Sequence, residues 1–164
     1  MFRATLIALT LTALPAAAQT VAFGGMRADI SAPVEVSADS LSVNQADGTA
    51  LFQGNVVIGQ GEMRLSAQSV RVEYADGAGA GTDGQRRIRA LDASGGVVLV
   101  SGPDAAEAKS ARYEVDSGMV TLSGDVLLTQ GSNVMSGDRI VVNLADGTAQ
   151  AQGRVRSVLQ PGRN

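Results

Sequence analysis

The chain has 164 residues, with no cysteine, histidine or tryptophan, 20 glycines, 3% aromatic residues and a formal charge of −3. These absences exclude disulfides, thiolate or imidazole catalysis, the usual zinc sites and c-type haem attachment. The acidic balance argues against nucleic-acid binding, which needs a basic face, while 45% hydrophobic and 18% charged residues suit one folded domain of small side chains.

Met1-Phe2-Arg3 is followed by the apolar run Ala4 to Leu14 and by Pro15-Ala16-Ala17-Ala18. A positive start, a short apolar stretch and an A-x-A end make a secretory signal peptide over residues 1–18. The run is shorter than the about 20 residues a permanent membrane helix needs. Cleavage is expected after Ala18, which removes Arg3 and leaves the mature chain more acidic still. An export signal without a cysteine at its cleavage site points to the periplasm and away from a lipoprotein. Residues 19–33 have no clear period, contain Gly24-Gly25 and Pro33, and read as a mobile lead-in.

From Val34 the chain alternates with period two, and turn signals recur roughly every dozen residues, an all-β pattern. Val34 to Asn44 turns at Gln45-Ala46-Asp47-Gly48 into Thr49 to Gly59. Gln60-Gly61 leads into Glu62 to Tyr74, whose inward parity changes between Leu65 and Val70. A glycine-rich loop over Ala75 to Gln85 precedes Arg86 to Ser101, and Gly102-Pro103 precedes Ala106 to Val115. Asp116-Ser117-Gly118, Gly131-Ser132 and Ala145-Asp146-Gly147 separate the last runs, and residues 160–164 form a tail. No helical spacing occurs after residue 20. Gly54, Gly95, Gly124 and Gly153 sit inside runs, each two residues before a valine. Glycine within a strand marks a bulge or bend, so each long run is expected to divide into two shorter strands.

Ser37 to Val56 and Ser136 to Val155 are identical at twelve of twenty positions, with two weaker copies between them. Units of strand, Asp-Gly-like turn, strand and Gly-x-Val can bury together an apolar seam that one unit cannot bury alone. The recurring Ala38-Asp39-Ser40-Leu41 and Gln53-Gly54-Asn55-Val56 pattern resembles the LptA / OstA-like family of periplasmic lipopolysaccharide-transport bridge proteins. The resemblance spans residues 34–159. It implies an open-ended, V-shaped antiparallel β-jellyroll of about sixteen short strands, with no substantial helix after the signal peptide. It also implies an acyl-chain carrier between inner and outer membranes with no catalytic residues, cofactor or metal. Its implied partners are lipopolysaccharide, further copies of the chain, an LptC-like inner-membrane protein and an LptD-like outer-membrane protein, joined edge strand to edge strand.

The residues give a compatible picture. Leu41, Val43, Phe52, Val56, Ile58, Leu65, Val70, Val72, Tyr113, Val115, Leu122, Val126, Leu128, Ile140, Val142 and Val155 form one inward, mostly aliphatic face. This face is the candidate acyl-chain slot. The same pattern fits a structural β-repeat protein with a dry core and no lipid ligand. Arg86, Arg87 and Arg89 are head-group candidates, because guanidinium groups bind phosphate bidentately, or else they are a solvated outer face. Gly79-Ala80-Gly81-Thr82-Asp83-Gly84 matches G-x-G-x-x-G, but no helix follows and the segment reads as a hairpin loop. Asp39 and Asp138 share a repeat position, which favours local hydrogen bonding to backbone over acid–base or metal chemistry. The terminal strands, Val34 to Val43 and Val155 to Leu159, leave open edges suited to strand addition.

Overall fold

A computed structural model describes residues 26–75 and 87–160. The expected signal peptide, residues 19–25 of the expected lead-in and the G-x-G-x-x-G segment lie outside the described residues. Among the described residues the chain is all-β. Its strands are β1 (Glu35–Ser37), β2 (Ser40–Asn44), β3 (Thr49–Gln60), β4 (Met63–Tyr74), β5 (Ile88–Ser101), β6 (Asp104–Glu114), β7 (Met119–Gln130), β8 (Asn133–Asn143), β9 (Thr148–Gln152) and β10 (Arg156–Val158).

All pairings are antiparallel, in one sheet of order β1-β3-β4-β5-β6-β7-β8-β10. β2 lies end to end with β1 along β3, and β9 does the same with β10 along β8. The two strong sequence copies thus build the two ends of the sheet. Their turns use the same chemistry. Asn44 Oδ1 accepts from the Ala46 amide at 3.0 Å and Asn143 Oδ1 from the Ala145 amide at 2.9 Å. Gly48 and Gly147 then take the left-handed φ values of 61° and 76° that close these turns.

The recurring internal glycines mark a fold line. Register breaks between Gln53 and Val56, Ser94 and Val97, and Ser123 and Val126. The skipped pairs are left-handed, for example Gly54 at φ 79° and Asn55 at φ 48°. A Cβ on Gly54 would stand 2.5 Å from an Asp39 carboxylate oxygen, so the corner admits no side chain there. The bulges at Gly54, Gly95 and Gly124 bend their runs without interrupting them, whereas the run through Gly153 divides as expected, into β9 and β10. The described residues therefore contain ten strands where about sixteen short ones were expected, because hydrogen bonding continues on both sides of each bulge.

The sheet folds along this line into two facing arms, one carrying β2 and β9, the other β1 and β10. On the β2 arm, Leu41, Phe52, Val70, Ala93, Ala111, Leu122, Ile140 and Ala151 stand opposite one another in strand order. On the β1 arm, Val36, Ile58, Leu65, Leu99, Ala106, Leu128 and Met135 do the same. These ladders line one core between the arms.

The stretch read as period-free has a period after all. Met26, Ala28, Ile30 and Ala32 turn toward the core, while Arg27, Asp29, Ser31 and Pro33 are exposed. This segment crosses the mouth between the free ends of the arms, opposite the fold line. The Ala28 amide donates to the Leu144 carbonyl at 3.1 Å on the β2 arm. Gln60 Nε2, on the β1 arm, donates to the Ile30 and Ala32 carbonyls at 3.1 and 2.9 Å.

Candidate functional site

The alternation of each strand decides what the interior contains. Val56, Ile58, Leu65, Val70, Val72, Tyr113, Leu122, Val126, Leu128, Ile140 and Val142 are all buried there. Phe52 and Val115 are half-buried and pack against the same cluster. Leu41, Val43 and Val155 differ. Leu41 and Val43 point inward on the edge strand β2 but remain 56% and 57% exposed, and Val155 is 49% exposed. They flank the two open ends of the sandwich, where no further strand among the described residues covers them.

Sequence reasoning missed several residues of this interior. Leu91, Ala93, Val97 and Leu99 lie on one parity of β5 and are buried. The contiguous Val97-Val98-Leu99-Val100 hid that parity, although carrying it through Gly95-Gly96 from Leu91 and Ala93 would have found it. Met63, Met135 and Met26 are also buried. Small residues at Ala50, Ala67, Ala93, Ala106, Ala111 and Ala149 keep the space narrow.

In this state the interior is filled by its own side chains. A hollow under Met26, lined also by Asp104, Leu128, Gln130, Val142, Gly147 and Ala149, measures about 10 Å³. That is scarcely room for one water molecule. A larger hollow of about 350 Å³ lies on the outer face of the β2 arm, beside Leu51, Arg71, Asp92, Arg112 and Thr121.

The inward rim of the β1 arm is polar. Gln60, Met63, Ser101, Asp104, Gln130 and Asn133 stand opposite one another across six strands. Gln60, Ser101 and Asp104 are buried beneath the crossing segment. The Tyr113 hydroxyl donates to Gln60 Oε1, and Ser101 Oγ donates to the Arg27 carbonyl. Burial pushes the Tyr113 phenol up to about 12. Both Asp104 carboxylate oxygens are buried without a hydrogen-bond partner among the described residues. Burial raises the Asp104 carboxyl, and Gln130 eases this only in part.

Arg87 and Arg89 lie on the outside and are already paired. Arg87 meets Asp116 and Arg89 meets Glu73, each at 2.6 Å. Arg86 lies outside the described residues. Glu73 also receives Arg112, whose hydrogen bond holds the Glu73 carboxyl below its usual range. Asp39 and Asp138 sit at corresponding corners, but their side chains bond to side chains and not to backbone. Asp39 accepts from Asn55 Nδ2 at 2.8 Å, and Asp138 from Arg154 Nε at 2.9 Å. Their own amides donate to the Gly54 and Gly153 carbonyls.

The family model described as LptA/(LptD N-terminal domain) LPS transport protein matches residues 35–148. The chain belongs to this family. An uncharacterized protein of Rhizobium meliloti (strain 1021) is 32% identical over 141 residues, covering 84% of this chain and 76% of the relative. The fold is similar to the crystal structure of LptH from Pseudomonas aeruginosa. That protein is described as the LptA homologous periplasmic component of the conserved lipopolysaccharide transport device. The TM-score is 0.70 at 21% identity, over 82% of this chain and 99% of LptH. The open antiparallel sheet of the LptA-like fold accounts for both the long bulged strands and the unpaired ends.

Proposed function

We propose that the protein is a periplasmic lipopolysaccharide carrier and bridge, which shields acyl chains between its two arms. The family match over residues 35–148 carries this reading. A chain of a dozen methylenes costs roughly 10 kcal/mol in water at about 0.8 kcal/mol per methylene, so a carrier must cover most of it. The aliphatic ladders offer such cover without fixed polar contacts that would hinder release. Leu41, Val43 and Val155 extend the apolar inner face to the open ends.

The unpaired edges support end-to-end joining. Among the described residues, β1 and β2 at one end and β9 and β10 at the other each have a hydrogen-bonding side that pairs with no strand. A second copy, an LptC-like or an LptD-like partner would extend the sheet there. No catalytic step belongs to this function, and the signal peptide would deliver the chain to the periplasm.

The test is photo-crosslinking in cells from Phe52, Ile58 and Leu128. Capture of lipopolysaccharide at these inward positions is expected. Capture only at outward Val57 or Leu127 would sink the slot. The filled interior favours a second reading, a structural β-repeat protein with a dry core, which predicts no lipid capture at any of these positions.

A further inference from the structure

The segment over residues 26–33 and the rim beneath it are poorly matched as permanent partners. The inward side chains of the segment are Met26, Ala28, Ile30 and Ala32, while the rim they cover includes Gln60, Ser101, Asp104 and Gln130. Apart from Met63, this inward ladder carries amides, a hydroxyl and a carboxylate, which suit a lip that meets water. Under the segment, Gln60 and Ser101 are satisfied only by its carbonyls and by Tyr113. Asp104, opposite Gln130 on the same ladder, has no well-formed hydrogen bond among the described residues, and Gln130 offsets its burial only in part. Closure therefore strands a carboxyl group that opening would return to water.

The segment is held at four points, through the Ala28 amide to Leu144 and through its Arg27, Ile30 and Ala32 carbonyls, which accept from Ser101 and Gln60, whereas each long strand is bonded along its length on both sides. The segment is shaped locally instead. Asp29 accepts from the Ser31 amide at 3.0 Å and the Ser31 hydroxyl at 2.5 Å, and the Ala32 amide donates to the Asp29 carbonyl at 3.1 Å. A unit that keeps its own turn and has few bonds to its surroundings can open without the rest of the fold. Met26, an unbranched apolar chain, fills the interior beside Leu128, Val142 and Ala149.

We propose that residues 26–33 form a displaceable strap, with Met26 as an internal stand-in for an acyl chain, which closes the empty protein and leaves when lipid enters. This inference rests on the carrier reading and adds how the cavity is made. The small hollow beneath Met26 is then a property of the closed state, and the polar rim is the wet lip of the open one.

Two measurements test it. The first is amide hydrogen exchange in the lipid-free protein. Ala28 should exchange about 100-fold faster than amides in the centre of β5, because the strap opens locally. Exchange of Ala28 only together with the β5 amides overturns the strap. The second is a reversible lock. A Cβ built on Gly61 lies 4.0 Å from the Ala32 Cβ, within disulfide range, and the chain has no other cysteine. In Ala32→Cys/Gly61→Cys, oxidation should reduce capture of purified rough-type lipopolysaccharide by a Phe52 crosslinker about 10-fold, and reductant should restore it. Gly61→Cys alone controls for its left-handed φ of 57°. Met26→Ser, which keeps the fold line intact, should raise capture if the double variant folds poorly. Equal capture by the oxidised and reduced forms overturns the strap and leaves the carrier standing. No capture by wild type, either with purified lipopolysaccharide or in cells, overturns the carrier reading, and the strap's role in lipid entry with it.

Discussion

The Tyr113 hydroxyl, on β6, hydrogen-bonds to the Gln60 side chain, on β3, across the space between the two arms. Tyr113 belongs to the β2 arm and Gln60 to the rim of the β1 arm, so this contact ties the mouth of the sandwich from inside. Gln60 accepts from Tyr113 through Oε1 and donates through Nε2 to the Ile30 and Ala32 carbonyls of the strap.

Tyr113→Phe keeps the ring but strands Gln60 Oε1. A loss of about 1–2 kcal/mol in urea unfolding is expected, as for a buried acceptor left without a donor. Since burial pushes the phenol up to about 12, ultraviolet titration of the folded protein should show no Tyr113 ionisation in the pH 9–11 range.

Asp104→Asn should stabilise. The folded-state carboxyl is raised above its ordinary 3.8, so its contribution is fully present below that pH and is lost as pH rises through the folded value. The stability difference between variant and wild type should therefore grow from near zero in acid to about 1–2 kcal/mol at neutral pH. A difference that is flat with pH would mean that Asp104 is not buried as a carboxyl.

The outer pairing around Glu73 has the opposite sign. Arg112, and then Arg89, hold the Glu73 carboxyl below its ordinary 4.5, so this stability is present above that pH and lost as pH falls through the folded value. Arg112→Gln should cost about 1 kcal/mol at neutral pH, a value kept small by solvent screening. The cost should shrink below pH 4 in the same unfolding assay.

The fold line predicts a contrast between glycines. At Gly95, with φ 84°, a Cβ would meet the Gln68 Cβ at 2.7 Å, whereas at Gly102, with φ 56°, it meets nothing within 4 Å. Gly102→Ala should cost only the left-handed penalty of about 1–2 kcal/mol. Gly95→Ala should cost clearly more, because the corner must also shift. Equal losses in thermal unfolding would show that the corner is compliant.

Much of this was legible in the chain. Period-two alternation and Asp-Gly turns specify hairpins because side chains on a strand alternate and glycine accepts left-handed φ. The near-identity of Ser37 to Val56 and Ser136 to Val155 reappears as matching turns at Asn44 and Asn143 and matching corners at Asp39 and Asp138. The glycines before Val56, Val97 and Val126 were readable as bends.

What the sequence determined by itself was local: strand, turn, bulge and the apolar parity of most strands, since each depends on neighbours along the chain. Tertiary structure alone decided which parts of that apolar face are covered. Leu41 and Ile58 carry the same inward signal, yet one is 56% exposed and the other 1%, because only Ile58 has strands on both sides. It likewise decided that Met26 lies beside Asp104, residues 78 positions apart, because the meeting depends on folding the sheet along its bulges and crossing the mouth that results.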